Sequence, residues 1–241
     1  IDRKKVSPLY IREKSKEIAL NYSEIQKKQF IRLGIFGDWE NPYLTLNPSY
    51  EASIIRSFGD LYNNGYIYRD LKPVYWCYHC ETSLAEAEIE YKTKKSPSIT
   101  VAFKLLSNKF NLEDINVLIW TTTPWTLPAN VALAIKSNEP YLIINYNNKN
   151  YIVSKNSLIN SQQLHFLRKQ EYQILKEINS NELINLKAKH PFLERESIIV
   201  EAEYVDTSNG TGIVHTAPGH GLEDYSTGKK YNLPILCPVN A

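Results

Sequence analysis

An α+β fold is predicted for this chain, in which a mostly helical first part leads into a β-barrel-like domain with peripheral helices. Three observations carry the prediction. The opening stretch is charged and helix-prone, and a well-capped amphipathic segment follows it from Asn47. From Ser98 the pattern changes to short β-rich runs separated by polar turns, the mark of many short strands. Between the two, Lys92-Thr93-Lys94-Lys95-Ser96-Pro97 forms a polar, proline-bearing joint that divides the chain near residue 95 into parts 1–95 and 96–241.

Taken in order, the stretch to about Gln29 offers only a loose apolar face of Ile11, Ile18, Leu20 and Ile25. Asn47 reads as an N-cap and Pro48 as the first helical residue, with Ile54, Ile55, Phe58, Leu61 and Tyr62 on one face and Asn63-Asn64-Gly65 as the stop. Strands are expected at 99–105, 117–122, 132–135, 141–146, 151–153, 172–175, 198–205 and 212–215, and a helix at 157–168. Val117-Leu118-Ile119-Trp120 has the β-branched and aromatic content of a buried strand. Asn147-Asn148-Lys149-Asn150 and the Asn-rich stretch from Asn179 to Asn185 read as loop enlargement without chemistry.

Size and composition set bounds. A chain of 241 residues with 43% hydrophobic residues can bury a sizeable core. Its apolar runs are too short for a bilayer, and no charged n-region with an apolar h-region opens it, so a soluble protein without membrane association is expected. A net charge of +2 is too mild to mark a nucleic-acid binder on its own. Methionine is absent, which suggests an excised piece or processed product. Cys77-Tyr78-His79-Cys80 has the spacing of two ligands of a tetrahedral zinc site, with His79 as a makeshift third. Two ligands make half a site, so a free thiol pair is the favoured reading; Cys237, beside Pro238, is expected in the core. Unpaired thiols fit a reducing compartment, either cytoplasm or an organelle matrix.

Two segments carry chemistry. Trp120-Thr121-Thr122-Thr123-Pro124-Trp125-Thr126-Leu127-Pro128-Ala129-Asn130 places hydroxyls and an amide at a strand's end, where two prolines forbid a continuing ladder or a helix. A stiffened edge strand is its bland alternative. Gly210-Thr211-Gly212-Ile213-Val214-His215-Thr216-Ala217-Pro218-Gly219-His220-Gly221-Leu222-Glu223-Asp224-Tyr225 again runs from a short strand into an irregular loop, this time with two imidazoles and two carboxylates. Alone, His215 reads as a half-buried structural histidine and Asp224 as a helix N-cap. Together with the threonines they read as a binding site. His215, His220 and Asp224 could alternatively serve as a catalytic metal set, although that leaves the threonines unexplained.

The two segments together resemble the editing (connective polypeptide) domain of isoleucyl-tRNA synthetases. The likeness extends through Arg32 to Trp39, Asn41 to Thr45, Lys72 to Cys77 and Leu84 to Tyr91. The valine and leucine enzymes carry an Arg-Pro-Glu/Asp-Thr version of the first segment, where this chain has Thr123-Pro124-Trp125-Thr126. The resemblance implies that 1–95 flanks the synthetase catalytic domain and that 96–241 is the editing domain. It also implies a tRNA(Ile) acceptor end as partner, valine as the aminoacyl group, and contact with the rest of the synthetase. A second cysteine pair beyond Ala241 would complete a zinc site in the parent, while editing itself would need no cofactor. ATP would bind only to the parent, since the family's His-Ile-Gly-His and Lys-Met-Ser-Lys-Ser segments are not in this sequence.

The implied reaction is hydrolysis of valine wrongly joined to tRNA(Ile), or of valyl-adenylate. One methylene in an apolar pocket is worth only about 1–3 kcal/mol, a range for which the isoleucine enzyme facing valine is itself the standard illustration. A second, smaller hydrolytic site must then remove the error. On this reading Asp224 pairs with the α-ammonium, and Glu223 points elsewhere. Thr121, Thr122, Thr123 and Thr126 bind the terminal adenosine and orient water, and Asn130 adds an amide. His215 contacts the valyl side chain or shuttles a proton; Trp120, Ala217, Gly219 and His220 line the substrate. A non-catalytic tRNA-binding module is the competing expectation.

Overall fold

The computed structural model describes residues 5–168 and 171–239; the first four residues of the helix-prone opening and the last two of the expected editing domain lie outside them. The chain divides into two compact units between Asp70 and Leu71. In the first, α1 (Pro8–Arg32) starts where the Ser7 hydroxyl accepts the Tyr10 N–H at 3.2 Å and ends at Leu33, followed by Gly34 at φ +76°. It runs past the expected Gln29. α2 (Pro48–Asn63) follows the sequence reading, with Asn47 at the N-cap position, although the Asn47 side chain makes no capping bond. Neither helix buries a residue, and the apolar face of α2 stays open, with Ile55 70% and Tyr62 62% exposed. Phe30 stacks on Trp39 beyond the end of α1, and Asp38 accepts the N–H groups of Glu40 and Asn41.

The second unit begins at Leu71, ahead of the joint expected at 92–97. Residues before that joint therefore pack with the sheet, and Ser96 Oγ donates to the Thr122 carbonyl at 2.7 Å. Strands β1 (Trp76–Cys77) and β2 (Thr82–Ser83) form a short antiparallel ribbon around the two thiols. Then come β3 (Ile99–Leu105), β4 (Ile115–Thr121), β5 (Ala132–Ile135), β6 (Pro140–Tyr146), β7 (Lys149–Ser154), α3 (Lys155–Asn160), α4 (His165–Arg168), β8 (Gln173–Asn179), β9 (Lys187–Lys189), β10 (Glu196–Glu201), β11 (Ile213–Thr216) and α5 (Leu222–Lys230). Strands β3 to β11 make one mixed sheet in the order β11-β5-β10-β9-β3-β4-β7-β6-β8. The fold is α+β, as predicted. The sheet curls until β11 comes beside β4, but it does not close into a barrel: its hydrogen-bonded order ends at β11 and β8.

Burial on both faces explains why β4 lacks an in-out alternation. Val117 and Ile119 join the main core with Phe103, Leu133, Ile143 and Ile199, while Leu118 faces a second cluster that includes Leu158 and Leu164. The helix expected at 157–168 is interrupted at Ser161, where the backbone turns extended at ψ 130° and a short 3-10 turn precedes α4. Asn147 and Asn148 are a two-residue hairpin turn with φ +50° and +59°, and Lys149 and Asn150 already belong to β7. That asparagine run is therefore a structural turn and not loop enlargement: asparagine tolerates the left-handed backbone that a tight hairpin needs. Asn179 likewise does structural work, accepting the Asn181 N–H in a 3-10 cap. Cys237, expected in the core, is exposed.

Candidate functional site

The sheet order brings the two chemistry-bearing segments together. β11 pairs antiparallel with β5, His215 opposite Leu133 and Thr216 opposite Ala132, and β5 directly follows the threonine turn. β4 delivers Thr121 at its last position. The residues from Pro124 to Ala129 form a 3-10 helix, where neither ladder nor helix was expected. Proline forbids the α-helix, whereas a short 3-10 helix tolerates Pro124 at its start and one missing donor at Pro128. Three groups pin this turn from behind. His190 Nε2–H donates to the Leu127 carbonyl at 2.9 Å, and the Arg195 guanidinium donates to the carbonyls of Pro128 and Asn130. Ser197 donates to the Asn130 side-chain oxygen.

A pocket of about 410 Å³ opens between the segments, lined by Trp120, Thr121, Thr122, Thr123, Trp125, Thr126, Val214, His215, His220 and Asp224. Thr123 N–H donates to Thr121 Oγ1 at 3.0 Å, and Thr126 Oγ1 donates to the Thr123 carbonyl at 2.8 Å. With that proton committed, His215 Nε2–H is the donor to Thr126 Oγ1 at 3.0 Å. His215 Nδ1 is then a buried lone pair without a partner among the described residues. Burial holds the His215 pKa below the ordinary imidazole value; Asp224 opposes this, and His220 and His190 reinforce it. The imidazole is neutral.

Asp224 is the third residue of α5, not its N-cap; Gly221 holds that position. Its carboxylate turns back over the preceding loop, where Ala217 N–H donates to Oδ2 at 2.9 Å and the Tyr204 hydroxyl to Oδ1 at 2.9 Å. A Cβ on Gly219 would collide with the Leu236 carbonyl, so only glycine allows the loop to lie against that strand of backbone. Glu223 lines a different cavity of about 940 Å³, together with Lys72, Tyr75, Glu86, Tyr204 and His220, so it faces away from Asp224's pocket.

Most of the site expected from sequence thus converges: all four threonines, Trp120, His215, His220 and Asp224 line the pocket. Asn130 does not. It is 0% exposed, and its amide is spent on Ala132 and Ser197, so it braces the turn and is not free to meet a substrate. Ala217 acts through its N–H on Asp224, and Gly219 through its lack of a side chain; neither lines the pocket. Trp125, 60% exposed, is a lining residue that sequence reading left out, although it sits inside the threonine motif. Tyr204, His190, Arg195 and Ser197 were missed because their sequence neighbourhoods show no motif.

The metal alternatives find no geometric basis: no group of three or more His, Cys, Asp and Glu residues able to hold an ion occurs among the described residues. Cys77 and Cys80 fit half of a tetrahedral site. Cys80 N–H donates to Cys77 Sγ at 3.4 Å, and backbone donors from Cys80 and His79 lower the Cys77 pKa. Two such thiols would hold a zinc ion only if two further ligands came from elsewhere. No helix of the described residues is long and apolar enough to cross a membrane.

Residues 1–203 match the family model described as tRNA synthetases class I (I, L, M and V). The chain is 54% identical over 241 residues to the isoleucine–tRNA ligase of Carboxydothermus hydrogenoformans and 48% identical over 243 residues to that of Natranaerobius thermophilus. Each alignment takes in 100% of this chain and 26% of the relative, so the chain spans about a quarter of the length of the curated relatives it matches. Among solved structures, that of GlLeuRS-CP1 is similar with a TM-score of 0.47 at 18% identity, covering 56% of this chain and 58% of that one. The editing domain of the P. falciparum cytosolic leucyl-tRNA synthetase is similar with a TM-score of 0.42 at 21% identity, covering 52% and 50%. On the family match, which takes in most of its length, the chain belongs to the class I tRNA synthetases of the isoleucine, leucine, methionine and valine group.

Proposed function

We propose that this chain is the editing region of an isoleucine–tRNA ligase and that its 410 Å³ pocket hydrolyses valine wrongly esterified to tRNA(Ile), acting also on valyl-adenylate. The single observation that carries the reading is the convergence of the threonine turn and the histidine loop on that pocket, with Thr126 and His215 in direct hydrogen bond and Asp224 at its wall. The relatives named above support it.

In this scheme the valyl α-ammonium pairs with the Asp224 carboxylate, which fixes the ester beside the threonine turn. Exposed Trp125 offers an aromatic face at the pocket's edge for the terminal adenine. Thr122 and Thr123 hydroxyls hold a water against the ester carbonyl. Water adds to that carbon, the tetrahedral oxyanion is met by hydroxyl donors, and collapse releases valine and the ribose hydroxyl of tRNA. Threonine is too weakly acidic to act as a base, and an activated ester does not need a strong one. His215, neutral and locked to Thr126, forms a rigid wall that limits side-chain size and so admits valine but not isoleucine. The tRNA and the rest of the synthetase are its partners, in cytoplasm or an organelle matrix. Neither ATP nor a metal takes part in this step.

Deacylation of Val-tRNA(Ile) is the test. Asp224→Ala should abolish hydrolysis while tRNA binding persists, and hydrolysis by the unsubstituted protein should resist chelators. Retained hydrolysis in the variant would remove Asp224 from the scheme. Binding without any hydrolysis in the unsubstituted protein would instead identify a passive tRNA-binding module.

A further inference from the structure

Asp224 stands in the first turn of α5, half-buried, where a carboxylate has two free torsions and no reason of its own to keep one direction. Two donors remove that freedom, one on each oxygen. Ala217 N–H belongs to the loop that Asp224 folds over. The Tyr204 hydroxyl comes from beyond the end of β10. Tyr204 is itself anchored, since it packs against a buried cluster of Ala134, Ala202 and Val205. It lines the larger cavity and not the pocket that holds the threonines, so it does not touch the substrate.

We propose that Tyr204 is a positioning residue for recognition of the substrate's α-ammonium: its hydroxyl aims the Asp224 carboxylate so that the remaining lone pairs converge on one cation inside the pocket. The inference rests on the reading of Asp224 as the partner of that ammonium. Burial keeps the phenol protonated throughout the working range, so it is a constant donor to the carboxylate. A hydroxyl held by an aliphatic cluster acts as a fixed stop, and the loop amide alone would leave Oδ1 free to swing toward solvent.

The test compares two esters on the complete protein: Val-tRNA(Ile), and tRNA(Ile) carrying 2-hydroxyisovalerate, in which a hydroxyl replaces the amine. Single-turnover deacylation is measured for wild type, Tyr204→Phe, Asp224→Asn and the double variant, with thermal melts as a folding control. Tyr204→Phe keeps the ring and its packing. It should slow hydrolysis of the valyl ester by about tenfold, the loss of one hydrogen bond to a charged group, and leave the hydroxy ester unchanged. The double variant should be no slower than Asp224→Asn. An equal loss on both esters, no loss on the valyl ester, or additive losses would overturn the role of Tyr204. If Asp224→Asn itself fails to distinguish the two esters, the ammonium assignment falls first and Tyr204 falls with it. If Asp224→Asn distinguishes them and Tyr204→Phe does not, only Tyr204 is refuted.

Discussion

His215 and His190 are both buried imidazoles whose pKa values are held below the ordinary value, in each case chiefly by burial. The unfolded chain takes up protons at these positions near pH 6.5, and the folded chain refuses them until lower pH. Their contribution to stability is therefore complete above about pH 6.5 and is lost as pH falls toward their folded values. Urea unfolding at a series of pH values should show a midpoint that is level near neutrality and drops below pH 6.5. His215→Asn should flatten that drop, and a slope unchanged by the substitution would show that His215 takes no part. At this scale the sequence told a good deal about the site. Threonines, histidine and aspartate announced themselves because unusual polar residues stood among glycines and prolines. Tyr204 did not, because an isolated tyrosine at the end of a β-rich run looks like any other, and only the path of the chain sets it 2.9 Å from Asp224.

The 3-10 turn from Pro124 to Ala129 is the element on which the pocket depends, and its supports lie behind it. Asn130→Ala would leave the Ala132 carbonyl and the Ser197 hydroxyl without their partner in a dry interior. A loss of about 1–3 kcal/mol is expected in urea denaturation, together with reduced hydrolysis as the turn shifts. Gly212→Ala should cost about 2 kcal/mol or more, because φ is +69° there and a Cβ would press on Ser154. Its measure is the thermal midpoint, and an unchanged midpoint would contradict the close packing of Gly212 against the end of β7 and the start of α3. Element type was legible where period and composition agreed, as in β3, β5 and α2, whose spans match the expected ones. It was not legible for β9, a three-residue Lys-Ala-Lys strand formed only because β3 and β10 offer partners on both sides. For α5 the sequence offered only a start, with Asp224 as the N-cap three residues past the observed Gly221, because its mixed polar sequence lacks a continuous apolar face.

At the scale of the whole molecule, every fully buried hydrophobic residue among the described residues lies at Phe103 or beyond, while α1 and α2 bury none. The two units should therefore behave differently when separated. A fragment from Leu71 onward is expected to unfold cooperatively, with dispersed amide resonances. Residues 1–70 alone are expected to show helical far-UV dichroism at most, without protected amides. Matching protection in the two fragments would contradict this division. The sequence showed that the chain changes character part-way, but it placed the change at the lysine-rich joint. The structural boundary is set by which backbone packs against the sheet, and no local pattern around Asp70 records that.

The segments just before β3 and just after α5 both lie against the site's two loops: Ser96 is tied to Thr122, and the Leu236 carbonyl lies against Gly219. A displacement of either segment would reach the site directly, because one is tied to a threonine that lines the pocket and the other is packed against the glycine that shapes the histidine loop.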